Sequence, residues 1–105
     1  MIELNEKYKL YSNMVKEMNE DFFNFLNCEE KFKLYTDVYN YFQYYMFMYM
    51  TENYNINSYE YIDNWGLNKN SLTVNYYDEL TDYDDCIDIP IEEFLNYIKS
   101  KKDIE

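Results

Sequence analysis

The sequence predicts an α+β domain: two N-terminal helices, a three-stranded antiparallel β-meander and a C-terminal helix. Three observations carry this. Apolar residues in the first half recur at three- and four-residue intervals, the spacing of a helical face. From Tyr59 onward, short runs rich in β-branched and aromatic residues alternate with Asn- and Asp-rich turns. After Pro90 the helical spacing returns.

Leu4, Tyr8, Tyr11, Val15, Met18, Phe22 and Phe25 line one face of the first predicted helix, with Asn5, Glu6, Lys9, Asn13, Lys16, Glu17 and Glu20 on the other. A break is expected at Asn27, which with Glu30 has the form of an N-cap and its reciprocal partner. The second predicted helix runs from about Glu29 to about Thr51. One stripe passes through Phe32, Tyr35, Tyr39, Phe42, Met46 and Tyr49, and another through Leu34, Val38, Tyr41, Tyr45 and Met48. A helix apolar nearly all round belongs in a core or against a partner, so a homodimer through this helix is one expectation. Thr51 to Ser58 reads as a loop. Strands are expected at Tyr59–Trp65, Ser71–Asp78 and Cys86–Ile89, with turns at Gly66–Asn70 and Glu79–Asp85. Alternation puts Leu72, Val74 and Tyr76 on one face of the middle strand, and turns Ile87 and Ile89 inward with Asp88 outward. Pro90 suits the first position of the last helix, whose apolar face is Ile91, Phe94, Leu95 and Ile98. Glu92 and Glu93 at its start and Lys99, Lys101 and Lys102 at its end complement the helix dipole.

A chain of 105 residues is the size of one domain, and no linker divides it. It holds 21 acids and nine Lys, with no Arg, His or Ala, for a net charge of −12. Without His it lacks the commonest general base and zinc ligand, and without Arg it lacks bidentate phosphate recognition. A single Gly excludes a Gly-rich phosphate loop. The charge opposes direct binding to nucleic acid or an anionic membrane. A mean hydropathy of −0.71 would allow disorder, but 23 Phe, Tyr and Trp residues supply ring surface enough for a core. The N-terminus shows no apolar leader segment, and the run Tyr41–Met50 is too short to span a bilayer. Cys28 and Cys86 fit unpaired thiols in a cytoplasmic protein and lack a His to activate them, so each is expected as a small core residue. Trp65 is likewise expected in the core.

The charge is uneven. Met1–Asn57 has nine acids and five Lys, whereas Ser58–Ile98 has ten acids and only Lys69. Asp78, Glu79, Asp82, Asp84, Asp85, Asp88, Glu92 and Glu93 fall in one sixteen-residue window that no Lys interrupts. On the predicted strands they form an acidic rim, to which Tyr76, Tyr77 and Tyr83 add flat contact area. Carboxylates two apart on a strand lie about 6–7 Å from each other, the same order as charge spacings on nucleic acid. A one-signed field costs self-repulsion that a mixed surface avoids, and it suits a basic partner. Basic protein grooves are mostly nucleic-acid sites, so the rim is the expected partner-binding surface for a protein occupying such a groove.

Other chemistries fit poorly. Asp82, Asp84, Asp88 and Glu93 match positions of a calcium loop, but Cys86 and Ile87 stand where a ligand and Gly are required. Paired carboxylates could serve a hydrolase, yet no Arg and no nearby Lys would hold an anionic substrate. No catalytic residue, metal site or cofactor is expected.

In size, acidity and lack of catalytic residues, and in the stretch YYDELTDYDDCIDIPIEE, the chain resembles small inhibitors encoded by phages and mobile elements. These include anti-CRISPR proteins, anti-restriction proteins and uracil-DNA glycosylase inhibitors, many of them DNA mimics. The resemblance implies a non-enzymatic inhibitor, cytoplasmic in a bacterial host, bound to the nucleic-acid site of a defence or repair nuclease, CRISPR effectors first. Charge concentrated at one end implies that it plugs one local site. Two alternatives remain open: an immunity protein for a nuclease toxin, and an oligomeric adaptor using the second predicted helix.

Overall fold

A computed structural model describes residues 3–56 and 61–104. The elements are α1 (Leu4–Glu20), α2 (Phe22–Asn27), α3 (Glu29–Tyr54), β1 (Ile62–Leu67), β2 (Ser71–Asp78), β3 (Tyr83–Pro90) and α4 (Ile91–Ile104). The expected α+β class, the antiparallel meander and the C-terminal helix are all present. Two compact units divide within α3, one up to Tyr44 and the other from Tyr45 onward.

In the first unit, Asp21 interrupts the first predicted helix. Its carboxylate accepts a hydrogen bond from the Asn24 backbone N–H at 3.2 Å, capping α2 and closing off α1. The apolar spacing continues across the break, but the faces do not: Phe25 is buried while Phe22 and Phe23 are exposed. The second boundary lies at Cys28 and not at Asn27. The Cys28 carbonyl accepts the first α3 bond from Phe32 N–H at 3.0 Å, and Asn27 is still within α2. Tyr11 stacks on Tyr35 at 5.9 Å and meets Phe42 edge-on at 5.7 Å, and Leu4, Tyr11, Met14, Phe25, Val38 and Phe42 are this unit's buried residues. The Lys7 ammonium sits 3.7 Å from the Tyr41 ring centre.

In the second unit, α3 runs one turn past its expected end, through Tyr54. Asn55 then takes a left-handed backbone (φ 57°), a conformation Asn tolerates. Ile56 turns back to the helix, its N–H donating to Met50 O and its carbonyl accepting from Thr51 Oγ1 at 2.7 Å. The rest of the expected loop, and the start of the expected first strand at Tyr59, lie outside the described residues. Gly66 and Leu67, expected in a turn, are paired strand residues opposite Thr73 and Leu72. The turn starts at Asn68, whose side-chain oxygen accepts from Asn70 and Ser71 N–H, both at 2.8 Å. The strand order is β1-β2-β3, and α4 packs on β2 and β3.

Parity along β2 decides what is buried. Leu72, Val74 and Tyr76 lie directly opposite Ile89, Ile87 and Asp85, so those six side chains share a face. Leu72, Val74 and Ile89 are buried there, as are Phe94 and Ile98 of α4. Met46, Tyr49 and Met50 of α3 are buried in the same unit, and Tyr49 meets Phe94 and Tyr97 edge-on. The apolar C-terminal half of the second predicted helix is therefore core material. Pro90 closes β3 instead of opening α4. Ile91 N–H donates to Asn70 O at 2.9 Å, which ties the helix start to the β1–β2 turn.

Candidate functional site

Asp78 ends β2, Glu79–Asp82 form the turn, and β3 begins at Tyr83, three residues earlier than the sequence suggested. Asp82 makes this tight return with a left-handed backbone (φ 60°) and donates its N–H to Asp78 O at 2.8 Å. The longer β3 pairs Tyr83, Asp84, Asp85 and Asp88 with Asp78, Tyr77, Tyr76 and Thr73. Asp84 and Asp88 consequently share the outer face with Tyr77 and Thr73, while Asp85 falls on the opposite face beside Tyr76. Glu92 and Glu93 occupy the first turn of α4. The sequence-predicted rim is thus spread over both sheet faces and a helix start, densest around the β2–β3 turn.

Hydroxyl and amide donors hold most of these carboxylates. Tyr61 donates to Glu79 and Tyr77 to Asp82. Thr73 donates to Asp88 at 2.6 Å, Tyr49 to Glu93 at 3.2 Å and Tyr76 to Asp85 at 3.4 Å. Leu80 N–H donates to Asp78 at 2.9 Å, and Cys86 N–H to Asp85 at 2.8 Å. The Asp84 and Glu92 carboxylates accept no hydrogen bond among the described residues. The ion pairs among those residues, Lys31–Glu17 and Lys101–Glu52, involve none of the eight. Neutral donors fix a carboxylate in place without cancelling its charge.

The field registers on the tyrosines. The hydrogen bond to Asp82 is the largest influence raising the Tyr77 phenol pKa above its ordinary value, followed by burial and the charges of Glu79, Asp84 and Asp78. Burial raises Tyr76, helped by Asp85 and Asp78. Burial pushes Tyr49 up to about 12, with the Glu93 charge adding to it.

Two concavities flank the acidic strands. A groove of about 380 Å³ at the turn is lined by Tyr54, Tyr61, Tyr76, Tyr77, Asp78 and Glu79, among others. A shallow depression of about 530 Å³ on the β1–β3 surface is lined by Asp63, Asn64, Asn75, Asp84, Asp85 and Cys86. Asp63 and Tyr61 were not expected at the site. Antiparallel pairing brings β1 alongside, and the register shift between Ile62 and Asn64 sits at Asp63.

Three expectations need correction. Tyr76 is only 8% exposed, so it supports the sheet and offers little contact surface, whereas Tyr83 is 75% exposed and Leu80, at the turn, 97%. Cys86 is exposed, because pairing with Asn75 puts it on the polar face, and Cys28 is half-buried; both thiols are free. Trp65 is half-buried, opposite Val74. The calcium-loop frame is broken by β3 itself, which carries Asp84 and Asp88 on extended backbone. Among the described residues no helix is long and apolar enough to cross a membrane, and no three Asp, Glu or Cys residues group as metal ligands.

The chain matches no protein-family model, no curated protein and no solved structure.

Proposed function

We propose that the protein is a non-enzymatic inhibitor whose β2–β3 hairpin and adjoining α4 start occupy the basic nucleic-acid groove of a nuclease, with CRISPR effectors the first class to test. The observation that carries this reading is the set of eight carboxylates from Asp78 to Glu93, six of them held by hydroxyl and amide donors and none reached by a lysine ion pair among the described residues. Leaving such a field uncompensated costs self-repulsion in the free protein, and a groove of Lys and Arg relieves it. The groove's cations satisfy either phosphates or these carboxylates, so binding of protein and nucleic acid is mutually exclusive.

The test is a panel of purified bacterial nucleases titrated with the protein at low and moderate salt. The proposal expects a complex that excess nucleic acid displaces and that weakens as salt rises. A complex that binds nucleic acid and the protein together would refute it.

A further inference from the structure

We propose that the outward face of α2 is a docking surface for a basic amphipathic helix of a partner protein. The inference goes beyond the hairpin reading above and does not rest on it. On an unbroken helix the spacing Leu4, Tyr8, Tyr11, Val15, Met18, Phe22 would carry Phe22 along the core-facing stripe. The chain instead breaks at Asp21, whose backbone leaves the helix (φ −150°, ψ 80°) and whose side chain caps α2. Past the break Phe25 turns inward, buried and edge-on to Tyr35 at 5.8 Å. At about 100° per residue, Phe22, Leu26 and Phe23 fall side by side on the arc of α2 next to Phe25, with Asn24 and Asn27 on the other side. Phe22 is 52% exposed, Phe23 78% and Leu26 38%, and the two phenylalanine rings meet edge-on at 6.2 Å. The break thus presents to water aromatic surface that the helical spacing alone would bury.

Area and charge decide the occupant. At about 200 Å² for a whole phenylalanine, these three residues leave roughly 300 Å² in water. That falls well short of the ~800 Å² each partner gives to a stable protein interface, so this face alone does not hold a second copy. It matches the apolar stripe of one helix laid across it. Exposed carboxylates stand at both ends of the face, Asp21 before it and Glu29 and Glu30 after it in the first turn of α3. No lysine lies between Glu17 and Glu30, and Lys31 is paired with Glu17. In a two-fold dimer the face would meet itself. With acids at both ends, neither a parallel nor an antiparallel arrangement would oppose unlike charges, and an anionic membrane is repelled for the same reason. A helix whose lysines or arginines bracket an apolar stripe satisfies both ends. The six residues of α2 span about 9 Å, and cations seven residues apart on a partner helix span about 10.5 Å.

The test uses the full chain and two fluorescently labelled peptides, acetyl-QKQALLQAKQALLQAK-amide and its counterpart with glutamate in place of lysine. Fluorescence anisotropy reads the affinity, and the ring NMR signals of the full chain locate the site. The lysine peptide should bind at least about tenfold more tightly than the glutamate peptide and shift the Phe22 and Phe23 rings. Phe23→Ser should weaken that binding by about tenfold or more and leave the melting temperature unchanged, because the ring already lies mostly in water. Glu29→Gln with Glu30→Gln should narrow the preference for the lysine peptide with every apolar residue in place, so loss of folding in the first variant would not spare the proposal. Leu80→Ser, at an exposed apolar residue of the β2–β3 turn, should change neither. Equal binding of the two peptides, no binding, binding unchanged by Phe23→Ser, or shifts confined to the acidic hairpin would overturn the proposal. So would a dimer of the free protein, seen by sedimentation, that Phe23→Ser dissociates, since the face would then belong to a second copy. No nuclease enters this assay, so its failure leaves the nuclease competition experiment standing, and failure of the latter does not touch the peptide result.

Discussion

Strand parity makes stability and recognition separable, and Leu72 with its neighbour Thr73 is the place to demonstrate it. Leu72 is fully buried on the central strand, directly between Leu67 of β1 and Ile89 of β3. Leu72→Ala removes three carbons. At about 0.8 kcal/mol per methylene the transfer loss is roughly 2.4 kcal/mol, and the cavity left in a three-stranded sheet raises the total to about 3–5 kcal/mol. Thr73 points the other way, and its hydroxyl donates to Asp88 at 2.6 Å in an exposed setting. Thr73→Val keeps the shape and β-propensity and loses one solvent-accessible bond, for about 1 kcal/mol or less. Urea unfolding followed by circular dichroism, with Trp65 fluorescence as a second probe, reads both values. If Leu72→Ala costs less than about 1 kcal/mol, or if the two variants cost the same, the assignment of faces is wrong.

Two further predictions concern charge. Tyr49 is held protonated up to about 12, above its ordinary value of 10.0, so the folded protein binds protons more tightly than the unfolded chain there. That contribution to stability is complete below about pH 10 and is lost as pH rises toward 12; absorbance at 295 nm beside circular dichroism should show delayed tyrosine ionisation coupled to unfolding, and free titration near pH 10 in the intact fold would contradict it. Screening should stabilise the free protein, because the eight carboxylates repel one another without an intervening Lys, so raising salt from low to moderate concentration should raise the melting temperature, and a decrease would mean the charges are already compensated.

The parts of the fold legible in the sequence are those where a single period decides burial. Leu72, Val74 and Tyr76 alternate with polar neighbours, and the structure buries all three. The apolar stripes of α3 likewise announce Phe42, Met46 and Tyr49 as core. The break at Asp21 was masked because Phe22 and Phe25 continue the helical spacing; the local signal is Asp21 followed three residues on by Asn24, a capping pair. Gly66 drew the expected turn two residues early, since Gly and Asn cluster there, but the turn is made by the Asn68 side chain and Leu67 is needed in the sheet. The acidic window was visible as composition. Its division between faces and its tyrosine partners were not, because Tyr61 and Glu79 meet only through strand register, and the start of β3 at Tyr83 sets which carboxylate points where.

The central claim is that charge on this hairpin drives association with a basic groove. The measurement is the association rate, at low salt, of a nuclease shown to bind the protein, for Asp84→Lys combined with Glu92→Lys. These two carboxylates carry charge without a hydrogen bond among the described residues, so the change leaves the donor network intact. The control is Glu20→Lys with Asp37→Lys, the same charge change at exposed helical positions. The account predicts that the hairpin pair slows association by about tenfold or more while the control changes it by much less, with the difference shrinking as salt is added. Equal rates for the two variants would show that only net charge matters, and an unchanged rate for the hairpin pair would contradict the account outright.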